Sequence, residues 1–458
     1  MANGNSRRNQ TSQFKMTECL FFADRTGGET GQSYNITTSV IELSLYEDLD
    51  KPYITGRIVV SDDKALFERV GLFGTEKIKV TICDADDGLN PILERTMIAS
   101  NTHKQTKANA NGKASVYVFT LVDEHLFQSR INPISKSFNG RIDTIMSKLV
   151  LEHMKKDLDL SYLVLGTGDK VDVVQNNIKG IFPNITPLKA MNWLLDRATT
   201  DTGSPYFCYA SIHDDNLRLA NLDVLLQQKA WNTRLPYSYN PSNVSVAEGQ
   251  TELERAFTIK EFNVTGANDT FEMLERGSIN AELSNTNLNT GKIAKNKFSF
   301  ENTLQKMEMR QAIKLENENV YDPDFKVGDE LVSEKPSKRF HTVTSNGVYG
   351  ASKSYHDETD PRKFISKLEK RAIRNHLVKN TMDVYVNGTG FFIAKASVGD
   401  IVNLKIVNDD AEVNKQSNED TLIDKKKSGN HLIFRTRHTF TGTQHTVAMT
   451  VCKMENDT

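Results

Sequence analysis

Of the ten histidines in the sequence, His431, His438 and His445 are the closest set. They flank a hairpin turn, so the imidazoles of His438 and His445 can face each other across it. A zinc site needs a full set of nitrogen, sulfur or oxygen ligands, and no carboxylate or thiol stands beside these rings to complete one. Cross-strand packing or solvation is the expected role. The four cysteines, Cys19, Cys83, Cys208 and Cys452, include no C-x-x-C pair and no histidine at zinc spacing. They are expected to be free thiols in a reducing compartment. Leu165-Gly166-Thr167-Gly168 supplies a G-x-G, but the third glycine of a dinucleotide fingerprint would fall on Val171, so a turn is predicted.

The acidic pairs Asp62-Asp63, Asp214-Asp215 and Asp409-Asp410 suit turns, where carboxylates bond nearby backbone amides. Asp84-Ala85-Asp86-Asp87-Gly88 is a poor calcium loop: Gly88 comes one position early and Arg95 stands where the closing glutamate belongs. Phosphate-binding, nucleophile-elbow and zinc-protease motifs are missing. The sequence therefore assigns no catalytic, cofactor-binding or metal residue, and the expected class is a non-enzyme without cofactors.

The elements around these residues are mostly strands. Leu432–His438 and Thr446–Val451 alternate as two arms about Thr441-Gly442-Thr443. Val384-Tyr385-Val386, Phe391-Phe392-Ile393 and Ile401–Ile406 are predicted to extend this sheet, with a helix over Phe364–Leu377 covering it through Ile365, Leu368 and Ala372. Near the amino terminus, Ser39–Leu45, Tyr53–Val60, Gly74–Ile82 and Ser115–Leu121 repeat the same sequence of parts. The match of Gly74-Thr75-Glu76 to Gly399-Asp400 points to two related β modules. Between them lie a helix with Ile142, Ile145, Met146 and Leu149 inward, a helix opening at Thr186-Pro187, and a hairpin about Asp214-Asp215.

The chain has 458 residues, enough for several domains, and its net charge is −2 with both signs intermixed. That excludes a dedicated nucleic-acid binder, which carries a basic patch or stripe. No apolar run reaches membrane-spanning length, so no membrane insertion is expected.

Thr37–Asp48, Gly56–Asp62, Gly74–Ile82, the Pro187–Ala198 helix with Tyr206-Phe207, Ser397–Val402 and the closing hairpin together resemble the baseplate hub protein of contractile-tailed, T-even-type bacteriophages. The hub part of type VI secretion spike proteins is similar. The resemblance implies an α+β multidomain fold, with two antiparallel tube-like β-barrel domains flanking and interleaved with an α+β domain. The expected boundaries are a flexible arm over 1–15, a first barrel over 16–130, and a middle domain over 131–252. A second barrel is expected over 253–284 and 363–458, with a polar insertion over 285–362 packing on the middle domain or a neighbouring subunit.

The resemblance further implies a homotrimer in the virion tail baseplate, assembled in the host cytoplasm. Its ring would have pseudo-six-fold symmetry and join a six-fold tail tube to a three-fold spike. The implied partners are the central spike protein, tail tube or tube-initiator proteins, the tape measure protein and baseplate wedge proteins. DNA would pass through a polar or acidic channel without specific binding. The alternatives are a secretion-system spike hub, a tail-associated cell-wall hydrolase, and a carbohydrate-binding module, for which Trp231, Tyr237 and Tyr239 make only a loose aromatic group expected to pack under a loop.

Overall fold

The alternating stretches near both termini fold into strands of one large sheet. The computed structural model describes residues 13–23, 32–84, 90–107, 114–163, 178–239, 256–265, 269–288, 291–311, 321–322, 324–344, 361–379, 381–407 and 423–453. The amino-terminal strands are β1 (Phe14–Phe22), β2 (Ser33–Asn35), β3 (Val40–Asp48), β4 (Thr55–Asp62), β5 (Glu76–Asp84), β6 (Pro91–Lys107) and β7 (Ser115–Val122). They pair in the order β3–β4–β7–β6–β5–β1–β2. Phe14 is buried in β1 and donates its amide to Thr443, so Phe14 and Lys15 belong to the sheet and not to a flexible arm. Gln13 bridges to Gln444, and residues 1–12 of that expected arm, with the Asp86-Asp87 turn, lie outside the described residues.

In the middle of the chain, β8 (Ile134–Gly140) and β10 (Ile178–Ile185) form a ribbon, and β9 (Leu158–Asp159) joins the hairpin of β11 (Tyr206–Ala210) and β12 (Leu217–Asn221). The helix Ile142–Met154 buries Ile142, Ile145, Met146 and Leu149, as its periodicity predicts. Pro187 starts its helix at N1, where its missing N–H costs nothing, and Thr186 holds the N-cap position without a side-chain cap bond.

The strands β13 (Tyr237–Tyr239), β14 (Ile259–Val264), β15 (Asn280–Asn287), β16 (Ile293–Ser299), β17 (Lys326–Val327), β18 (Glu330–Leu331) and β19 (Lys338–Thr344) follow. Here the sequence reading needs correction. Asn280–Leu283 was expected in the second barrel region, but β15 has both edges taken by β16 and β19 in a separate sheet. Most of the polar stretch that follows reads as loops and short strands, yet it contains the helix Phe300–Gln311. That helix places Leu304 and Met307 in one core with Leu222 and Leu225. The hairpin of β17 and β18 does form at Val327-Gly328-Asp329-Glu330.

The final strands are β20 (Thr381–Asn387), β21 (Ile401–Ile406), β22 (Gly429–Thr441) and β23 (Gln444–Cys452). Phe391-Phe392-Ile393 is not a strand. Thr389–Ala394 is a short helix that ends with Lys395 in the left-handed region, because Ala396 folds back to bond Phe391. Most of the polar stretch over 408–427 lies outside the described residues.

Pairing at the two ends of the chain follows the same order. The amino-terminal path β5–β6–β7–β4–β3 is matched by β21–β22–β23–β20–β14. Registers agree as well: Ile58 faces Phe119 and Val59 faces Val118, whereas Val384 faces Met449 and Tyr385 faces Ala448. Each outer strand has one register shift, at Val40/Glu42 in β3 and Ile259/Glu261 in β14. Each long strand shifts at Ala99/Asn101 in β6 and Ile433/Arg435 in β22, and β6 alone shifts again at Thr102/Lys104. A bulge twists and bends its strand, so coincident bulges give the two ends the same local curvature. The carboxyl-terminal path also returns on itself, since Ser238 bridges to Thr258 just before β14.

Candidate functional site

The two similar halves meet edge to edge. β3 and β22 pair antiparallel, from Asp48 opposite Arg435 to Glu42 opposite Thr441, so the sheet runs unbroken from one half into the other. Beyond its bulge, the long strand β22 leaves β21 and takes β3 as its neighbour on the same edge. On one face of this seam, Arg435 Nε lies 3.2 Å from Asp48 Oδ2, and Arg374 Nε lies 2.6 Å from Asp50 Oδ2. Arg437 reaches Glu42 at 3.8 Å with its guanidinium over the Tyr46 ring. Such half-exposed pairs contribute about 0–1 kcal/mol each, so they favour a register more than they add stability. They border an open groove of about 800 Å³ whose charged lining includes Asp48, Asp50, Asp383, Arg374, Arg435 and Arg437.

The opposite face is buried and holds an acid. Leu43, Leu45 and Glu47 alternate inward along β3, and the Glu47 side chain has no exposed surface. Its Oε1 accepts from Ile212 N at 2.9 Å and from Ser397 Oγ at 2.6 Å. Its Oε2 accepts from Thr436 Oγ1 and lies 3.4 Å from His438 Nε2. Burial alone would raise this carboxyl. The hydrogen bond and positive charge of His438, with the Ser397 and Thr436 hydroxyls, outweigh burial and hold it at about 2.

The network continues to His445, whose Nε2 is 3.2 Å from His438 Nδ1. The His445 ring stacks on Phe440 at 4.4 Å between centroids. Burial, then the charges of His438 and His213, holds His445 far below the usual imidazole range. His438 and His445 do face each other across the hairpin, as their spacing suggests, but they are packed in the core and not solvated. His431 sits apart, buried, with Nδ1 bonded to Gly429 O at 2.9 Å.

Carboxylate, imidazole and imidazole in series is an arrangement able to relay a proton. Here both neighbouring hydroxyls are spent as donors to the carboxylate, and every member is buried, so no substrate has access. What the network does is tie five segments together: β3, β22, β23, the Ser397 turn and the Ile212 loop.

The ring of His445 fits because residue 388 lacks a side chain. A Cβ there would stand 1.8 Å from His445 Nδ1. Gly388→Ala is therefore expected to push the ring off Phe440 and His438, costing about 1–3 kcal/mol by overpacking. Urea denaturation checks this, and a variant as stable as the parent would mean the ring has another place to go.

A second anchor joins β6 to the middle of the chain. Arg95 clasps Asp123 through Nε at 3.0 Å and Nη2 at 2.9 Å, and its Nη1 donates to Ser211 O at 3.0 Å. Asp123 Oδ2 also accepts from Ile54 N at 2.6 Å. Arg95, placed by sequence at the end of a failed calcium loop, is thus a buried strut.

The remaining candidates resolve into structural roles. Asp62 accepts amides from Lys64, Leu66 and Phe67, Asp214 pairs with Arg218, and Asp215 pairs with Lys156. Leu165–Gly168 and Asp409-Asp410 lie outside the described residues. All four cysteines are buried and free. Burial pushes the Cys19 and Cys208 thiols up to about 12 and Cys452 higher, away from reactive thiolate. Trp231 packs on Tyr237, Phe257 and Phe391 inside the carboxyl-terminal half, not on a sugar-binding surface. Among the described residues, no three His, Cys, Asp or Glu side chains converge as a metal-binding group.

No protein-family model and no curated protein matches the chain. Among solved structures, it is similar to a tail protein from Neisseria meningitidis MC58, with 11% identity, 96% of this chain and 97% of that chain covered, and a TM-score of 0.49. The 43 kDa tail protein of prophage MuSo2 from Shewanella oneidensis gives 10% identity, 96% and 99% coverage, and a TM-score of 0.49. The E. coli c3393 protein, a type VI secretion component described as similar to T4 bacteriophage tail proteins gp27 and gp5, gives 9% identity, 90% and 73% coverage, and a TM-score of 0.38. These structural neighbours are phage tail proteins and a type VI secretion protein.

Proposed function

We propose that this chain is the structural hub of a phage tail baseplate, without catalytic activity. The observation that supports it best is the β3–β22 seam, where two halves with the same pairing order join by their edges. We read each half as a tube-like barrel. One chain then supplies two near-equivalent units, and three chains supply six. A ring of that kind meets a six-fold tail tube on one side and a three-fold spike on the other. Its central opening passes DNA, and a chain of net charge −2 carries no net positive charge to hold phosphates.

Light scattering after size exclusion tests the ring. The expected mass is three times the 51.6 kDa of one chain. A monomer at every concentration would sink the proposal. Electron microscopy of the same fraction should show a ring with a central hole.

A further inference from the structure

The seam inside the chain has a counterpart that no strand among the described residues fills. Beyond Ala99, where its pairing with β5 ends, β6 continues to Lys107 with β7 on one edge. Its other edge has no partner among the described residues. The equivalent stretch of β22, Arg435–Thr441, is covered there by β3. The strand equivalent to β3 is β14. Past Thr258, which bridges to Ser238, its edge away from β20 also has no partner among the described residues. Among the described residues, each chain therefore has one filled seam, one bare acceptor edge and one bare donor edge of the same kinds.

We infer that β14 of one copy pairs antiparallel with the Lys104–Lys107 edge of β6 in a second copy, beyond the further register shift of β6 at Thr102/Lys104, in the register of the β3–β22 seam. The register follows from the equivalences already set by neighbouring strands. Leu45 faces Gly56 and Val264 faces Met382, and those partners face Leu121 and Val451 respectively. Val264 thus stands where Leu45 stands. Val118 and Ala448 are equivalent, so Tyr117 matches Val447 and Gln105 matches His438. In the seam His438 faces Leu45, which places Gln105 of one copy opposite Val264 of the next. Thr106 then faces Asn263, and Lys107 faces Phe262.

Exposure agrees with this pairing. Leu45 is 2% exposed beneath the filled seam, whereas Val264 is 61% exposed at the bare edge. A bare edge with an apolar residue is an aggregation hazard unless something covers it. Donor and acceptor edges differ, so the contact is head-to-tail and closes into a ring when the rotation between copies allows. The inference rests on the hub reading for the existence of a second copy. The choice of edges comes from the internal repeat.

The test is disulfide trapping in the full chain carrying Gln105→Cys and Val264→Cys. Directly opposed residues on antiparallel strands lie about 4.5–5.5 Å apart at Cα, within disulfide reach. Mild oxidation should convert most of the protein into reducible dimers and trimers on a denaturing gel. The displaced pair Lys107→Cys with Val264→Cys should give several-fold less, and the parent chain, with its cysteines buried, essentially none. A trimer by mass that does not cross-link, or that cross-links equally in the displaced register, overturns the edge assignment while leaving the hub reading intact. A monomer by mass overturns both. If the variants fold poorly, amide exchange in the parent decides: slow exchange over Glu261–Thr265 in the oligomer but not in dilute monomer is expected, and equal exchange overturns the pairing.

Discussion

Glu47→Ala is expected to lower unfolding free energy by about 3–5 kcal/mol, the cost of breaking a buried charge network by removing one partner. The side chain at 47 is the shared acceptor for an amide and two hydroxyls and the counter-charge beside His438. Alanine leaves those donors buried and unmatched and opens a hole at the seam. Glu47→Gln keeps an acceptor and the volume, so it should lose less. Urea midpoints measure both, and a Glu47→Ala loss below about 1 kcal/mol would show that the donors find other partners.

Acid titration gives the same residue a signature. The folded carboxyl sits at about 2 against an ordinary value of 4.5. The unfolded chain therefore binds the proton first as pH falls. The stabilisation is present above 4.5 and disappears as pH falls from there towards 2. The buried rings of His431 and His376 are lowered by burial to about 4 from 6.5, so their contribution begins to fade below pH 6.5. The parent should lose stability in both windows. Glu47→Gln should lose less than the parent in the lower one and the same in the upper one.

Asp123→Ala is expected to be nearly as damaging, about 3–5 kcal/mol, because it strands the Arg95 guanidinium in the interior and frees the Ile54 amide. Arg95→Met in the same chain should recover part of that loss, since an apolar side chain leaves no unpaired charge. A double-mutant cycle measures the recovery. Simple additivity of the two losses would mean that the pair is not coupled.

Much of the strand and helix content is legible in the residues themselves. β3, β4, β7, β22 and β23 carry alternation, and the helices over Ile142–Met154, Pro187–Leu195 and Pro361–Lys379 carry apolar stripes. Other elements are hidden for physical reasons. The second half of β6, Asn101–Lys107, is wholly polar, so nothing in it reads as strand. Phe391-Phe392-Ile393 has strand-like composition, but the chain reversal at Ala396 winds it into a turn of helix. Phe300, Leu304 and Met307 do mark a helical stripe, diluted by the surrounding Asn, Lys and Glu. Glu47 is the deepest case. An acid in an amphipathic strand reads as solvent-facing, and the partners that keep it inside lie 165, 350 and 389 residues away.

The packing of Phe440 has a consequence for synthesis. Its ring meets Phe14 edge-on at 5.1 Å and belongs to the core of the amino-terminal strands, not to that of its own half. On the ribosome, β1 must wait for β22 before its interior is complete. Contacts this distant along the chain slow folding and prolong the lifetime of uncovered surface. Nascent chains halted before residue 440 should accordingly be captured by chaperones rather than released as a finished first domain.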